Sequence, residues 1–222
     1  MATANTSAPR YASSSSASSS SLSGSDALCT AFARKCSSSS GAWIDPASLP
    51  EHTCYLSQMK GNAPDYVKQL NYNTYCSYGV GDKDSFGYAV GQSVKFTDVD
   101  IDRKREKHGR LEATTVAEVL VTKNMLNGAG MLHGGCVAYL IDNTPLVVLG
   151  IVNNVNGVGV TQAMNIVFHS PAPLGTRLKI ISTSVALGGR IMTARCEIMN
   201  SNSGRVVASA FVNKMQPLPS RM

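Results

Sequence analysis

The chain has 222 residues, 43% of them apolar and 6% aromatic, enough to bury one sizeable core or two small ones. Its formal net charge of +6 favours an anionic partner, whether nucleic acid, membrane or a phosphorylated ligand. No window reaches the roughly 18 to 20 unbroken apolar residues of a membrane-spanning helix, and six cysteines with no C-x-x-C pair, beside four scattered histidines, argue against a disulfide scaffold or a structural zinc site.

Composition divides the chain. Residues 11–40 hold 14 serines, and such a stretch cannot bury enough apolar surface to offset chain entropy, so residues 1–42 read as a disordered tail. Without an apolar h-region the tail is no secretory signal, and with few arginines it is a poor transit peptide. A reduced intracellular compartment follows from the cysteine usage. Residues 43–85 are weakly helical: Asp45-Pro46 is a cap-and-proline start, and residues 62–75 suit a second short helix. This extension is expected to pack on the main domain or to cover its ligand entrance.

Residues 86–218 form that main domain. Residues 86–101 read as a strand broken by Gly91, and a basic turn (Arg103, Lys104, Arg105, Lys107 and Arg110) follows. Residues 111–121 alternate, with Leu111, Ala113, Thr115, Ala117, Val119 and Val121 on one face, which marks a strand. Past a glycine-bearing loop, residues 134–150 are apolar nearly all round, as in a helix buried by its neighbours. Four more strands are expected at 161–168, 177–187, 191–199 and 206–215, separated by Pro171-Ala172-Pro173, Gly188-Gly189 and residues 200–204. Six mostly antiparallel strands and one apolar helix imply an α+β fold, a curved sheet wrapped around a central helix. One sheet covers only part of such a helix, so its open side wants a second subunit.

Carboxylates are scarce here: residues 119–222 contain just Asp142 and Glu197. Glu197 reads as a solvated cross-strand charge. Asp142 lies within Leu140-Ile141-Asp142-Asn143, where a charge is costly unless it is paired or faces a cleft, and a functional role outweighs packing as its reading. Gly134 and Gly135 leave bare N–H groups at the helix start, an oxyanion site that close packing alone would also select. Asn127 adds a side-chain donor or simply makes a turn, and His133 caps the loop–helix junction or exchanges protons. Asp142 stands eight residues beyond Gly134, roughly 12 Å along a helix axis. One reacting carbonyl cannot meet both groups of the same helix, so a shared site needs two antiparallel copies.

The stretch Asn127-x-x-Gly130-x-Leu132-His133-Gly134-Gly135, with Asp142 nine residues past the histidine, resembles the hotdog-fold acyl-CoA thioesterases of the phenylacetyl-CoA type and the thioesterase superfamily. Met164-Asn165-Ile166 through Ser170-Pro171-Ala172-Pro173-Leu174-Gly175 is similar to the same family's strand and turn, and the likeness spans about residues 94–217. It implies that Gly134 N–H polarises the thioester carbonyl with Asn127 assisting, beside His133 and Gly135. It also implies that the partner subunit's Asp142 acts as base or nucleophile. Thr161 stands where the family often has serine to orient water; it keeps the hydroxyl and adds a methyl. No metal or cofactor is required, because an oxyanion hole and one carboxylate supply both halves of acyl transfer to water.

Coenzyme A is rich in phosphate, so Arg103, Lys104 and Arg105 are candidate phosphate contacts, with a solvated turn as the plainer reading. Nucleic-acid binding lacks interleaved aromatics. The expected protein is an acyl-CoA thioesterase working as a homodimer or homotetramer; the alternative is a non-catalytic acyl-CoA-binding module of the same fold. A hydratase would want a histidine inside the helix, where none falls. Ser220-Arg221-Met222 resembles a peroxisomal address, with cytosol or mitochondrion as alternatives.

Overall fold

The computed structural model describes residues 56–80, 82–104, 108–144, 159–188 and 191–215. The serine-rich tail, the Asp45-Pro46 start, the expected helix continuation to residue 150, Arg105 and Ser220-Arg221-Met222 lie outside these residues. Helix α1 (Asp65–Tyr75) begins after Pro64 with Asp65 in its first turn, where a carboxylate complements the helix dipole. It runs into a π-helical turn (Cys76–Val80), followed by a single turn, α2 (Tyr88–Gly91).

The expected strand at 86–101 is corrected here: β1 spans Lys95–Lys104, and the preceding residues fold back as α2. Gly87 carries a φ of 74°, outside extended geometry, and Gly91 sits so close to Tyr139 that a Cβ would lie 2.6 Å from its Oη. Tertiary packing overrode an ambiguous local pattern. The other strands match expectation closely: β2 (Arg110–Leu120), β3 (Val160–Phe168), β4 (Arg177–Leu187), β5 (Ile191–Asn200) and β6 (Val206–Met215).

They form one antiparallel sheet in the order β1-β2-β4-β5-β6-β3. Inward positions recur every second residue: Ala113, Thr115, Ala117 and Val119 on β2, Met192, Ala194, Cys196 and Ile198 on β5. Helix α3 (Gly134–Asn143) packs against β3 and β6. It presents two faces of the same period. Val137, Leu140, Ile141 and the following Thr144 are buried, whereas Gly135, Ala138, Tyr139 and Asp142 line an open cleft. The helix is therefore amphipathic in role although apolar in composition. Truncating Leu140 or Ile141, each 0% exposed, is expected to cost about 2–5 kcal/mol.

The two sheet edges are treated differently. At β1 the extension supplies a cover: Lys60 N–H donates to Thr97 O (2.8 Å), Val99 N–H to Lys60 O (3.1 Å) and Ala63 N–H to Val99 O (3.1 Å). Asn62 Oδ1 accepts from Ile101 N–H at 2.7 Å. At the far edge, β3 has no buried residue on either face, and Val160, Val167 and Phe168 are exposed. An uncovered apolar edge of this kind is a template for another strand.

Gly61 allows the extension to lie on β1. Its φ is 95°, and a Cβ there would come 2.2 Å from Val99 O. Gly61→Ala is expected to lower unfolding stability by about 2 kcal/mol through backbone strain and lost edge pairing, read from urea titrations. A wild-type midpoint would show that residues 60–63 do not pair with the strand.

Candidate active site

The loop before α3 is pinned on three sides. Asn127 N–H donates to Met131 O (2.8 Å), Leu132 N–H to Ala172 O (2.8 Å) and His133 N–H to Met125 O (2.8 Å). Asn127 Oδ1 accepts from the N–H groups of Ala129 (3.0 Å) and Met131 (3.1 Å), so its carbonyl is spent on an Asx turn. Its amide nitrogen has no acceptor among the described residues. His133 is the N-cap of α3, with Nδ1 accepting from Gly135 N–H at 2.8 Å. That bond puts the proton of a neutral ring on Nε2. It also occupies the Gly135 donor, whereas Gly134 N–H has no acceptor among the described residues and points out of the first helical turn. The Phe168 ring borders it, 3.6 Å from where a Gly134 Cβ would stand.

Two turns further along α3, Asp142 meets the opposite end of the site. Its Oδ1 accepts from Thr161 Oγ1 at 2.5 Å and from Lys214 Nζ at 3.0 Å, and Lys214 Nζ also donates to Thr161 Oγ1 at 2.7 Å. Thr161 and Lys214 are cross-strand partners on β3 and β6, which places both on the oxygen that α3 brings over them. The Asp142 side chain is 40% exposed and Lys214 is 1% exposed. Oδ2 has no partner among the described residues. The carboxylate thus has one oxygen bound and the other open towards the cleft.

Sequence reasoning did not single out Lys214. The signal was present: Ala208, Ala210, Val212 and Lys214 occupy successive inward positions of β6, and a charged residue closing that series requires a buried partner. Burial pushes the Lys214 ammonium below the ordinary lysine range, and the Asp142 charge and hydrogen bond pull it back up.

The cleft, about 520 Å³, is lined by Gly135, Ala138, Tyr139, Asp142, Asn143 and Met164 of the main domain, and by Tyr78, Ser85 and Phe86 from before β1. Tyr78 Oη donates to Gly159 O at 2.9 Å, and its ring lies 5.8 Å from Lys214 Nζ. Phe86 packs edge-on against Tyr139 at 5.9 Å while remaining 86% exposed. The extension therefore both packs on the sheet and walls the cleft, the two roles its sequence left open.

The basic hairpin lies elsewhere. Four strands separate β1 from β3, so Arg103 and Lys104 do not meet Asp142 of their own chain. Lys104 pairs with Glu112 at 3.4 Å, and Arg103 Nη1 donates to Gly109 O at 3.3 Å. Glu197 forms no ion pair with a described residue. Among the described residues no cluster of histidine, cysteine and carboxylate could hold a metal, and no helix is long and apolar enough to cross a membrane.

The thioesterase superfamily model matches residues 129–207, from the α3 loop through the start of β6. The chain is 29% identical over 118 residues to acyl-coenzyme A thioesterase 13 of Mus musculus, covering 52% of this chain and 84% of the mouse protein. It is 30% identical over 93 residues to the Homo sapiens protein of that name, covering 42% of this chain and 66% of the human one, just under two thirds of its length. In fold it is similar to zebrafish thioesterase superfamily member 2, with a TM-score of 0.56 at 20% identity, over 68% of this chain and 98% of that one. The Mus musculus thioesterase superfamily member 2 structure gives 0.52 at 23% identity, over 67% and 98%. Residues 129–207 thus resemble the thioesterase superfamily, and the domain has the hotdog fold of these solved structures.

Cys136, beside the cleft face of α3, has its thiol pushed up from 9.0 to about 11 by burial. Tyr139 is pushed up from 10.0 to about 12 by burial and then by the neighbouring Cys136. Two pKa units leave about a hundredfold less thiolate at a pH below both values, so at pH 7 native Cys136 should alkylate with iodoacetamide about a hundredfold more slowly than in the urea-unfolded chain. Equal rates, followed by peptide mass spectrometry, would contradict the buried placement.

Proposed function

We propose that this chain is an acyl-CoA thioesterase whose sites are built across a homodimer, with Gly134 N–H as oxyanion donor and the partner subunit's Asp142 as general base. The observation that carries the reading is the state of the Asp142 carboxylate: Oδ1 is bound by Thr161 and Lys214, and Oδ2 is open to the cleft. A base must present a lone pair to water while its remaining oxygen is held still. The exposed β3 edge supports the dimer, since two copies pairing there run their α3 helices in opposite directions. That arrangement answers the roughly 12 Å axial separation between Gly134 and Asp142 of one helix.

The chemistry then balances. Water attacks the thioester carbonyl carbon as the partner subunit's Asp142 Oδ2 takes its proton. The carbonyl oxygen gains the negative charge opposite Gly134 N–H and the helix N-terminus, with the free Asn127 amide as a second donor. Collapse of the tetrahedral intermediate restores the carbonyl and breaks the C–S bond. The proton held by Asp142 passes to the coenzyme A sulfur, leaving free acid and thiol. Ala138, Met164, Tyr139 and Phe86 offer the acyl group an apolar wall.

Two substitutions isolate the two halves of this step. Asp142→Ala should lower kcat for acyl-CoA hydrolysis by about 10²–10⁴-fold, read as free-thiol release, with the oligomer intact. Gly134 is the first helical residue and follows His133 in an extended conformation (φ −69°, ψ 136°). Proline fits there and removes only the N–H. Gly134→Pro should lower kcat by about 10²–10³-fold. Normal turnover by either variant refutes the assigned role; tight acyl-CoA binding with no hydrolysis by the wild type would favour a binding module. Separately, Val167→Lys on the exposed edge should shift the protein towards monomer in sedimentation velocity and lose activity in parallel. Full activity as a monomer would exclude the shared site.

A further inference from the structure

We propose that Lys214 is the positioning residue of this site: its ammonium binds Oδ1 of Asp142 together with the Thr161 hydroxyl and leaves Oδ2 as the one basic oxygen turned to the cleft. The inference rests on Asp142 being the base and adds what holds it in place. Three elements converge on the ammonium: Asp142 from α3 at 3.0 Å, Thr161 from β3 at 2.7 Å, and the Tyr78 ring from the π-helical turn at 5.8 Å. Asp142 is its only acidic partner among the described residues, and Met192 is its register neighbour on β5.

Geometry assigns the role. A carboxylate on a helix has free rotation about its terminal bond, and either oxygen could face water. A hydroxyl alone could still follow that rotation, donating to whichever oxygen came near. A buried ammonium on the neighbouring strand cannot, because turning the carboxylate away would leave it without its counter-charge. Lys214 therefore orients Asp142 without touching substrate. Its three protons account for the arrangement: one goes to Asp142 Oδ1, one to Thr161 Oγ1, and one is left towards the Tyr78 face. Thr161 in turn donates its own proton to Asp142, which fixes the direction of the three-membered network.

Because burial lowers the pKa of Lys214 while Asp142 raises it, the ammonium is lost below the ordinary lysine range, and turnover should fall on that alkaline limb. Lys214→Met, measured in the full chain with acyl-CoA across a pH series, should lower kcat by about 10–100-fold through misplacement of the base, change KM by less than about threefold, and abolish the alkaline limb. In an Asp142→Ala background the same change should add nothing, since nothing remains to be positioned. Wild-type kcat with the alkaline limb retained in Lys214→Met overturns the proposal, while an active Asp142→Ala overturns the reading of the base instead. Lys214→Arg, whose guanidinium stays charged throughout, should move the limb out of range; an unchanged limb in that variant overturns the proposal even if the methionine variant folds poorly.

Discussion

The cleft depends on one electrostatic constraint: a carboxylate carried on the apolar helix α3 has to be matched from below by a cation the sheet can bury. Asp142 and Lys214 satisfy it across 3.0 Å, with Thr161 bridging them. An ammonium taken fully out of water costs several kcal/mol unless paired, and α3 offsets that cost for Lys214 by bringing Asp142 over it. The contact thus ties α3 to the β3–β6 pair and leaves the other carboxylate oxygen open.

The rest of the domain holds that contact in place. The inner face of the sheet carries the buried side of α3, and the loop bonds at Asn127, Leu132 and His133 set where the helix begins. His133 caps Gly135 and leaves Gly134 as the available donor, so the cap decides which N–H the site can use. The segment before β1 closes one sheet edge with residues 60–63 and reaches the cleft with Tyr78, Ser85 and Phe86. Tyr75 ties α1 to α2 and β1: its Oη donates to Gly91 O at 3.0 Å and its ring meets Phe96 at 5.1 Å.

Much of this was legible in the sequence, for identifiable reasons. Strand β2 showed because its inward and outward residues alternate over 11 positions, and β3 to β6 because turn residues separate them. Asp142 stood out because a carboxylate amid Leu140 and Ile141 needs a cause. The beginning of β1 was misread because residues 86–94 are short and ambiguous, and what decides them is Tyr139, about fifty residues away in sequence, packing on Gly87 and Gly91. The all-round apolar reading of α3 concealed two faces, since alanine, tyrosine and glycine suit a cleft wall as well as a core. Lys214 escaped because a lysine near the end of a strand ordinarily reads as solvated, and only the register with Thr161 reveals its partner.

In the proposed dimer one reacting carbonyl is served by Gly134 of one protomer and Asp142 of the other. Co-expression of Gly134→Pro and Asp142→Ala chains, each inactive alone, tests it directly. A mixed dimer joins an intact Gly134 to an intact Asp142 at one of its two sites, so a random mixture should recover about a quarter of wild-type kcat per protomer. A mixture as inactive as its parents, despite mixed dimers confirmed by mass spectrometry, would contradict the shared site.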